Sequence, residues 1–280
     1  MNLEDKISGV GTVVGKLGKR PYRHDPRTLL LAKYLDAAKL PPIPPSINWG
    51  AKMGGGGAML NTDIGDCAIA AQGHAIQLFT SNNGAEVTVP DTSVLAAYRA
   101  VSGYDPADPS TDVGCVELDV LRYMRTTGID GHKIGAFALV NRDAHNTAGD
   151  ARYLDHVRAA IALFGCSYIG LAMPLAWQDT LDWKVPARGP TGIGDPGGWG
   201  GHAIILGGFE PASARYGGGI FHGKSWGEEV TLTANAVLTY CDESWVMFST
   251  DWTNGTRPAP SGVDMATLLA DVSAVGQPTT

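Results

Sequence analysis

Along the chain the spacing of apolar residues changes once, and the change divides the sequence. From Cys67 to about Phe79 the run CAIAAQGHAIQLF has helical period, with Ile69, Ala70, Ile76 and Phe79 on one side and Gly65 or Asp66 at its start. VTVPDTSVLAAYRAV predicts a short extended piece, a Pro/Asp stop and a second helix. VELDVLRYMRTTG predicts a third, closing on Gly128, and ARYLDHVRAAIALFG a fourth that ends at Gly165. After that the period shortens to two. CSYIGLAMPL, GHAIILGGFE, GGIFHGKSW, EVTLT and SWVMFST are β-rich runs separated by glycine-bearing turns. Ahead of all this, PRTLLLAKYLDAAKL predicts a helix with Pro26 in its first turn and Leu29, Leu30, Ala32, Leu35 and Leu40 as its apolar positions. PPIPPSINW breaks it, because each proline removes a donor and restricts its predecessor. The tail GVDMATLLADVSAVGQPTT holds one more short helix. Helices first and strands second describe an α+β domain whose two halves face each other across a cleft. The expected division is an N-terminal arm over 1–40, a domain over 41–260 and a C-terminal extension over 261–280.

Composition narrows the partners. With 44% hydrophobic and 18% charged residues, the 280-residue chain is long and apolar enough to bury a full core. The 37 glycines and 17 prolines promise many loops. A formal charge of −7 gives no general field for nucleic acid or an anionic membrane surface. No stretch reaches the length of a membrane span, and the first residues lack the basic start and apolar core of a secretory signal, so a cytoplasmic location is expected. Cys67, Cys115, Cys166 and Cys241 lie far apart without a CxxC, which predicts reduced thiols and no zinc site. Asn254-Gly255-Thr256 is a glycosylation sequon that matters only in an exported chain.

The chemistry gathers at NTDIGDCAIAAQGH. A thiol attacks as thiolate, and the positive end of a helix favours that form, so Cys67 at a helix start is a candidate nucleophile. His202, where GWGGHAIILGGF passes from a glycine-rich loop into a strand, is the candidate base; taken alone it reads rather as a satisfied strand histidine. His74 is a packed or surface histidine, and Asp66 caps the helix. Asp105, Asp108 and Asp112 have the density of a metal loop without its spacing and read as a solvated loop. GGGG at 54–57 and GDPGGWGGH at 194–202 lack the Lys-Ser/Thr of a phosphate loop. They read as turns near the cleft, where bare backbone lets an extended substrate approach.

Taken together these segments resemble the papain-like cysteine peptidase family, in the right order through most of the chain. PPSINW resembles the proline and Asp-Trp segment that opens the mature papain domain, and Trp49 stands at the family's spacing ahead of Cys67. Asn61-Thr62-Asp63-Ile64-Gly65-Asp66-Cys67 lines up with Gln-Gly-Ser-Cys-Gly-Ser-Cys. Cys115 in VGCVELDV resembles the Gly-Cys segment before the next helix, GGHAIILGGF the Asn-His-Ala segment, and KSWGEE the Asn-Ser-Trp-Gly motif. His202 follows Cys67 within the roughly 130–150 residues described for such enzymes.

The resemblance implies a helical half carrying the nucleophile helix, packed against a mainly antiparallel β half. It implies Cys67 as nucleophile, His202 as base, and Asn61, in place of a glutamine, as oxyanion donor beside the Cys67 backbone N–H. It also implies Trp226 as a shield for the histidine and a peptide or protein substrate, with neither cofactor nor metal. Lys224 falls where the family has the asparagine that orients the histidine, and lysine has donors but no acceptor. Ala68 replaces a tryptophan, and Ile64 replaces the cysteine that would pair with Cys115. The expected function is hydrolysis of peptide bonds through a Cys67/His202 dyad. The alternative, motivated by Lys224, is a catalytically impaired papain-fold binding or structural protein. Such a protein would be a component of a larger assembly such as a phage virion, contacted through the N-terminal arm.

Overall fold

A computed structural model describes residues 15–36, 38–140, 151–213, 218–253, 261 and 263–275. The sequon at Asn254 lies outside the described residues.

The segment after Pro26 does not form the expected helix: only Leu31–Tyr34 makes a single 3₁₀ turn. Tertiary contacts explain why. Leu30 bridges Leu139 and Leu35 bridges Val263, so the chain is drawn out along the domain while Leu31 and Tyr34 are buried in it. Then come β1 (Ile47–Asn48), α1 (Cys67–Asn82), α2 (Asp91–Ser102) and α3 (Glu117–Thr126). Gly103 and Gly128, both at positive φ, end α2 and α3 where a side chain would be strained. The VTV run before α2 is not a strand. A strand that the sequence pattern did not announce follows, β2 (Ile134–Leu139), and α4 (Ala151–Phe164) comes next. The rest is β3 (Ser167–Met173), β4 (Asp182–Trp183), β5 (Gly200–Glu210), β6 (Ile220–Ser225), β7 (Glu228–Thr233), α5 (Ala234–Tyr240), β8 (Cys241–Ser249) and α6 (Met265–Val275).

The strands form one sheet in the order β2-β8-β3-β5-β6-β7-β4, with β1 paired to β5. Every pairing is antiparallel except β4 with β7. Alternation along the central strands sends side chains into two separate cores. Ala203 and Ile205 of β5 join α1, α2 and α3 on one face, together with Tyr168, Trp245 and Met247. Ile204 and Leu206 face the other way, toward α4 and α5, with Ile169, Leu171 and Val246. Strands buried on both faces read as continuous apolar runs, which is why β3 and β5 were conspicuous in the sequence. The start of β5 is the seam at which the two cores part.

Candidate active site

Cys67 is the first residue of α1 and has 1% of its surface exposed. The helix begins on the Asp66 carbonyl, which accepts from the N–H groups of Ile69 and Ala70 at 2.7 and 3.0 Å. The Asp66 side chain makes no capping bond, so its expected role is corrected: it is buried rather than turned onto the helix end. The turn before it is fixed from elsewhere. Asp112 accepts the Gly65 N–H through both oxygens, at 3.0 and 3.1 Å, and takes the Tyr98 hydroxyl as well. Asp112 therefore departs from the reading of its loop as merely solvated, whereas Asp105 and Asp108 hold only their own exposed turns. Among the described residues no group of His, Cys, Asp or Glu is placed to hold a metal ion.

His202 enters from β5 and is 1% exposed. Its Nε2 lies 2.7 Å from the Ser225 hydroxyl, and its Nδ1 is buried without a hydrogen-bond partner. Trp226 stacks on the ring at 4.4 Å between centroids and 23°, and Trp183 meets it edge-on at 6.3 Å. The shield expected at Trp226 has its geometry from the β6–β7 hairpin, whose two turn residues, Trp226 and Gly227, both have positive φ. Such two-residue turns need left-handed backbone at both positions. Glycine adopts it freely, whereas for tryptophan it costs on the order of 1–3 kcal/mol, held by the packing of the indole.

Lys224 is not what His202 meets. It pairs across the sheet with Ile205 and Glu229, on the α1 face, where it lines a small depression with Asn48, Leu78 and His222. Consecutive strand residues point to opposite faces, so the histidine faces Ser225 and the lysine does not. Sequence alignment missed Ser225 by one residue. Asn61 is 2% exposed and follows two non-glycine residues in left-handed backbone, Met59 and Leu60. Its Nδ2 donates to the Ile64 carbonyl at 3.2 Å. His74 is packed inside α1 against Gln77 at 3.0 Å, and burial pulls its pKa down to about 4.

The cleft is filled by the chain itself. Residues 15–20 run through it in extended form. The N–H groups of Gly18 and Lys19 donate to the Gly201 carbonyl at 3.2 and 3.0 Å, and Arg20 N–H to the Cys115 carbonyl at 2.8 Å. Cys115 N–H returns a bond to the Gly18 carbonyl at 2.8 Å, and Lys16 N–H reaches the Asn61 carbonyl at 2.8 Å. The fit is close enough that a Cβ on Gly18 would stand 1.7 Å from the Gly65 oxygen. The backbone N–H groups of Gly18 and Ala203 favour the Cys67 thiolate electrostatically.

This cover sets the electrostatics. Burial first, then the charges of Asp66 and Glu117, pushes the Cys67 thiol up to about 12 against the two N–H groups that favour thiolate. Burial brings His202 down to about 3. The activation expected from the helix start is therefore outweighed, and in the covered state thiol and imidazole are both neutral. All four cysteines are buried, and none forms a disulfide bond.

Comparison with family models and with curated proteins returns no match. Solved structures do match. Xylellain, a cysteine protease from Xylella fastidiosa, superposes with a TM-score of 0.61 at 15% identity, over 86% of this chain and 99% of that one. Digestive procathepsin L 3 from Tenebrio molitor larval midgut gives 0.55 at 9% identity, over 85% and 77%. ProCathepsin B S9 from Trypanosoma congolense gives 0.53 at 9%, over 84% and 86%. The fold is papain-like, an α+β arrangement with a mostly antiparallel sheet.

Proposed function

We propose that this papain-fold chain is a thiol peptidase kept latent by its own residues 15–20. The observation that carries the reading is the strap itself: an extended polypeptide is already held by main-chain hydrogen bonds to Asn61 ahead of Cys67, to Gly201 beside His202 and to Cys115. An extended peptide substrate would use the same carbonyls and N–H groups. With the strap displaced, water reaches Cys67 and His202, the burial that keeps both neutral is relieved, and a thiolate–imidazolium pair becomes accessible.

In that state the Cys67 sulfur attacks the peptide carbonyl carbon. The Asn61 amide and the Cys67 backbone N–H receive the negative oxygen of the tetrahedral intermediate. The C–N bond breaks as His202 delivers a proton to the leaving amine, and a water deprotonated by His202 then hydrolyses the thioester. When the Nε2 proton is donated to Ser225, the Nδ1 lone pair is left for this transfer.

Gly18→Val tests the reading, because its side chain has no room against the Gly65 carbonyl and must lift the strap. The variant is expected to alkylate at Cys67 under a small iodoacetamide pulse, read by intact mass, and to hydrolyse unstructured peptides. Adding Cys67→Ala or His202→Ala is expected to abolish hydrolysis. A Gly18→Val protein whose Cys67 is alkylated but which cleaves no peptide in a diverse library would sink the proposal.

A further inference from the structure

The strap is held mainly through its backbone, with one exception. Lys19 is a lysine with only 1% of its side chain exposed. Its ammonium lies 2.8 Å from Asp242 and 2.9 Å from Glu243, the latter carboxylate wholly buried. The Trp245 indole N–H holds the other oxygen of Glu243 at 2.9 Å. Glu117, wholly buried at the start of α3, raises the pKa of the same ammonium without ion-pair contact, while burial raises its own pKa, and neither of its oxygens accepts a hydrogen bond among the described residues. Three carboxyl groups thus surround one cation, two of them out of water.

Register explains how the pocket forms. Gly170 of β3 lies opposite Ala203 of β5 on one side and Glu243 of β8 on the other, so the three occupy one row on one face of the sheet. Glycine in the middle of the row leaves the trough in which the lysine stem lies: a Cβ on Gly170 would come within 1.9 Å of the Lys19 Cε. The row ends at Ala203, which packs in the same core as Cys67. Lys19 is also the immediate neighbour of Gly18, whose N–H favours the Cys67 thiolate. The acidic trough is therefore the subsite next to the nucleophile.

We infer that this trough, built from Glu117, Gly170, Asp242 and Glu243, is a substrate subsite for a basic side chain, and that Lys19 occupies it as an internal stand-in for a lysine or arginine of the peptide. The inference rests on the proposed peptide cleft and names its substrate class. The physical ground is what happens when the strap leaves. A buried carboxylate stripped of its cation is costly, so a peptide with a neutral residue at this position would replace a paired Glu243 by an orphaned one. A peptide that brings its own ammonium or guanidinium restores the pairing. An acidic residue there would add a fourth carboxyl to the cluster. Arginine, with five donors in a fork, would satisfy more of the oxygens than one ammonium does.

The test separates subsite from chemistry. The full chain carrying both Cys67→Ala and Lys19→Ala, which cannot turn over substrate, is titrated with labelled octapeptides in which lysine, arginine, norleucine or glutamate is placed at each position in turn, and binding is read by fluorescence anisotropy. At one position lysine or arginine is expected to bind at least tenfold more tightly than norleucine, with glutamate weakest. Adding Asp242→Asn, at the partly exposed end of the pocket, or Glu243→Gln is expected to erase most of that preference. Binding that ranks norleucine equal to or above lysine at every position, or no binding of any peptide, overturns the inference and leaves Lys19 as a latch alone. Basic preference in this binding assay without cleavage by the Gly18→Val protein would uphold the subsite and fail the peptidase reading. Cleavage by Gly18→Val with no basic preference in binding would do the reverse.

Discussion

Two stretches of the same cleft, one residue apart on the strap, solve burial in opposite ways. Near Gly18 two ionisable groups are made neutral by burial: the Cys67 thiol is raised and the His202 imidazole lowered. Under Lys19 the ammonium keeps its charge beside Asp242 and Glu243, raised by the carboxylates against its own desolvation, while burial pushes Glu117 and Glu243 toward their neutral forms. In the proposed peptidase, where Cys67 and His202 are re-ionised by water on opening, neutrality makes closure reversible at little electrostatic cost. Where the cover has to be specific, an ion pair that only a cation can complete is the better seal. Closure at the thiol is therefore generic, and closure at the trough is selective.

The comparison breaks most visibly at Lys19. Lys19→Ala leaves Glu243 buried without its partner, a class of change that costs about 3–5 kcal/mol and corresponds to more than 100-fold in the opening equilibrium. Alkylation of Cys67 at pH 7.5 should accelerate by at least that factor relative to wild type. In wild type a thiol held near 12 is ionised to only about one part in ten thousand at pH 8, so its labelling should stay slow up to pH 9 and rise only beyond it. An alkylation rate unchanged by Lys19→Ala would mean that the backbone bonds alone hold the strap, and the contrast between its two halves would lose its energetic basis.

Much of this could be read in the sequence, but not its last step. The α1 run was legible because small and apolar residues continue unbroken from Cys67, and β5 because both its faces are buried. The helix expected after Pro26 failed because Leu30 and Leu35 found partners far away in the chain, at Leu139 and Val263, which local period cannot report. Helix α5 was overlooked, although Thr233 caps it onto the Ala236 N–H at 3.2 Å and a threonine before an alanine-rich turn is a readable start signal. At the site, the glycine-rich stretch ending at His202 did prove to be bare backbone under an extended segment, the chain's own. The orienting hydroxyl was lost to a one-residue offset, which in a strand exchanges one face for the other. The trough was invisible because its carboxylates come from α3 and β8 and its cation from residue 19, with no spacing to connect them.

A middle-sized effect sharpens the neutral half. Ser225 holds His202 through Nε2, so in the proposed mechanism it is a positioning residue. In the Gly18→Val background, Ser225→Ala should lower kcat/KM by roughly 10–100-fold, as for losing a hydrogen bond to a charged imidazolium worth about 1.5–3 kcal/mol. The acidic limb of the pH profile should move as well, and Ser225→Thr should restore most of both. Lys224→Ala, on the opposite face, should change kcat/KM by less than about threefold. A larger loss at Lys224 than at Ser225 would return the orienting role to the lysine.

The smallest effect concerns the acid that stays neutral beside the thiol. Burial raises the Asp66 carboxyl to about 8, with the Asn61 amide opposing the shift. Because the folded chain holds this proton well above the ordinary carboxylate range, the group's contribution to stability is complete below about pH 4. It declines as pH rises toward 8, by at most about 6 kcal/mol over that window. Asp66→Asn removes the titration while keeping the shape. The Tm of the asparagine variant relative to wild type should therefore increase between pH 5 and pH 8.5, by several degrees for a chain of this size. It should level off above about pH 9.5, where both folded and unfolded wild type have lost the proton. Parallel Tm curves across pH 5 to 8.5 would place Asp66 among ordinary ionised carboxylates. The cleft would then carry charge on both sides of the strap, and closure at the thiol would need its own counter-ion.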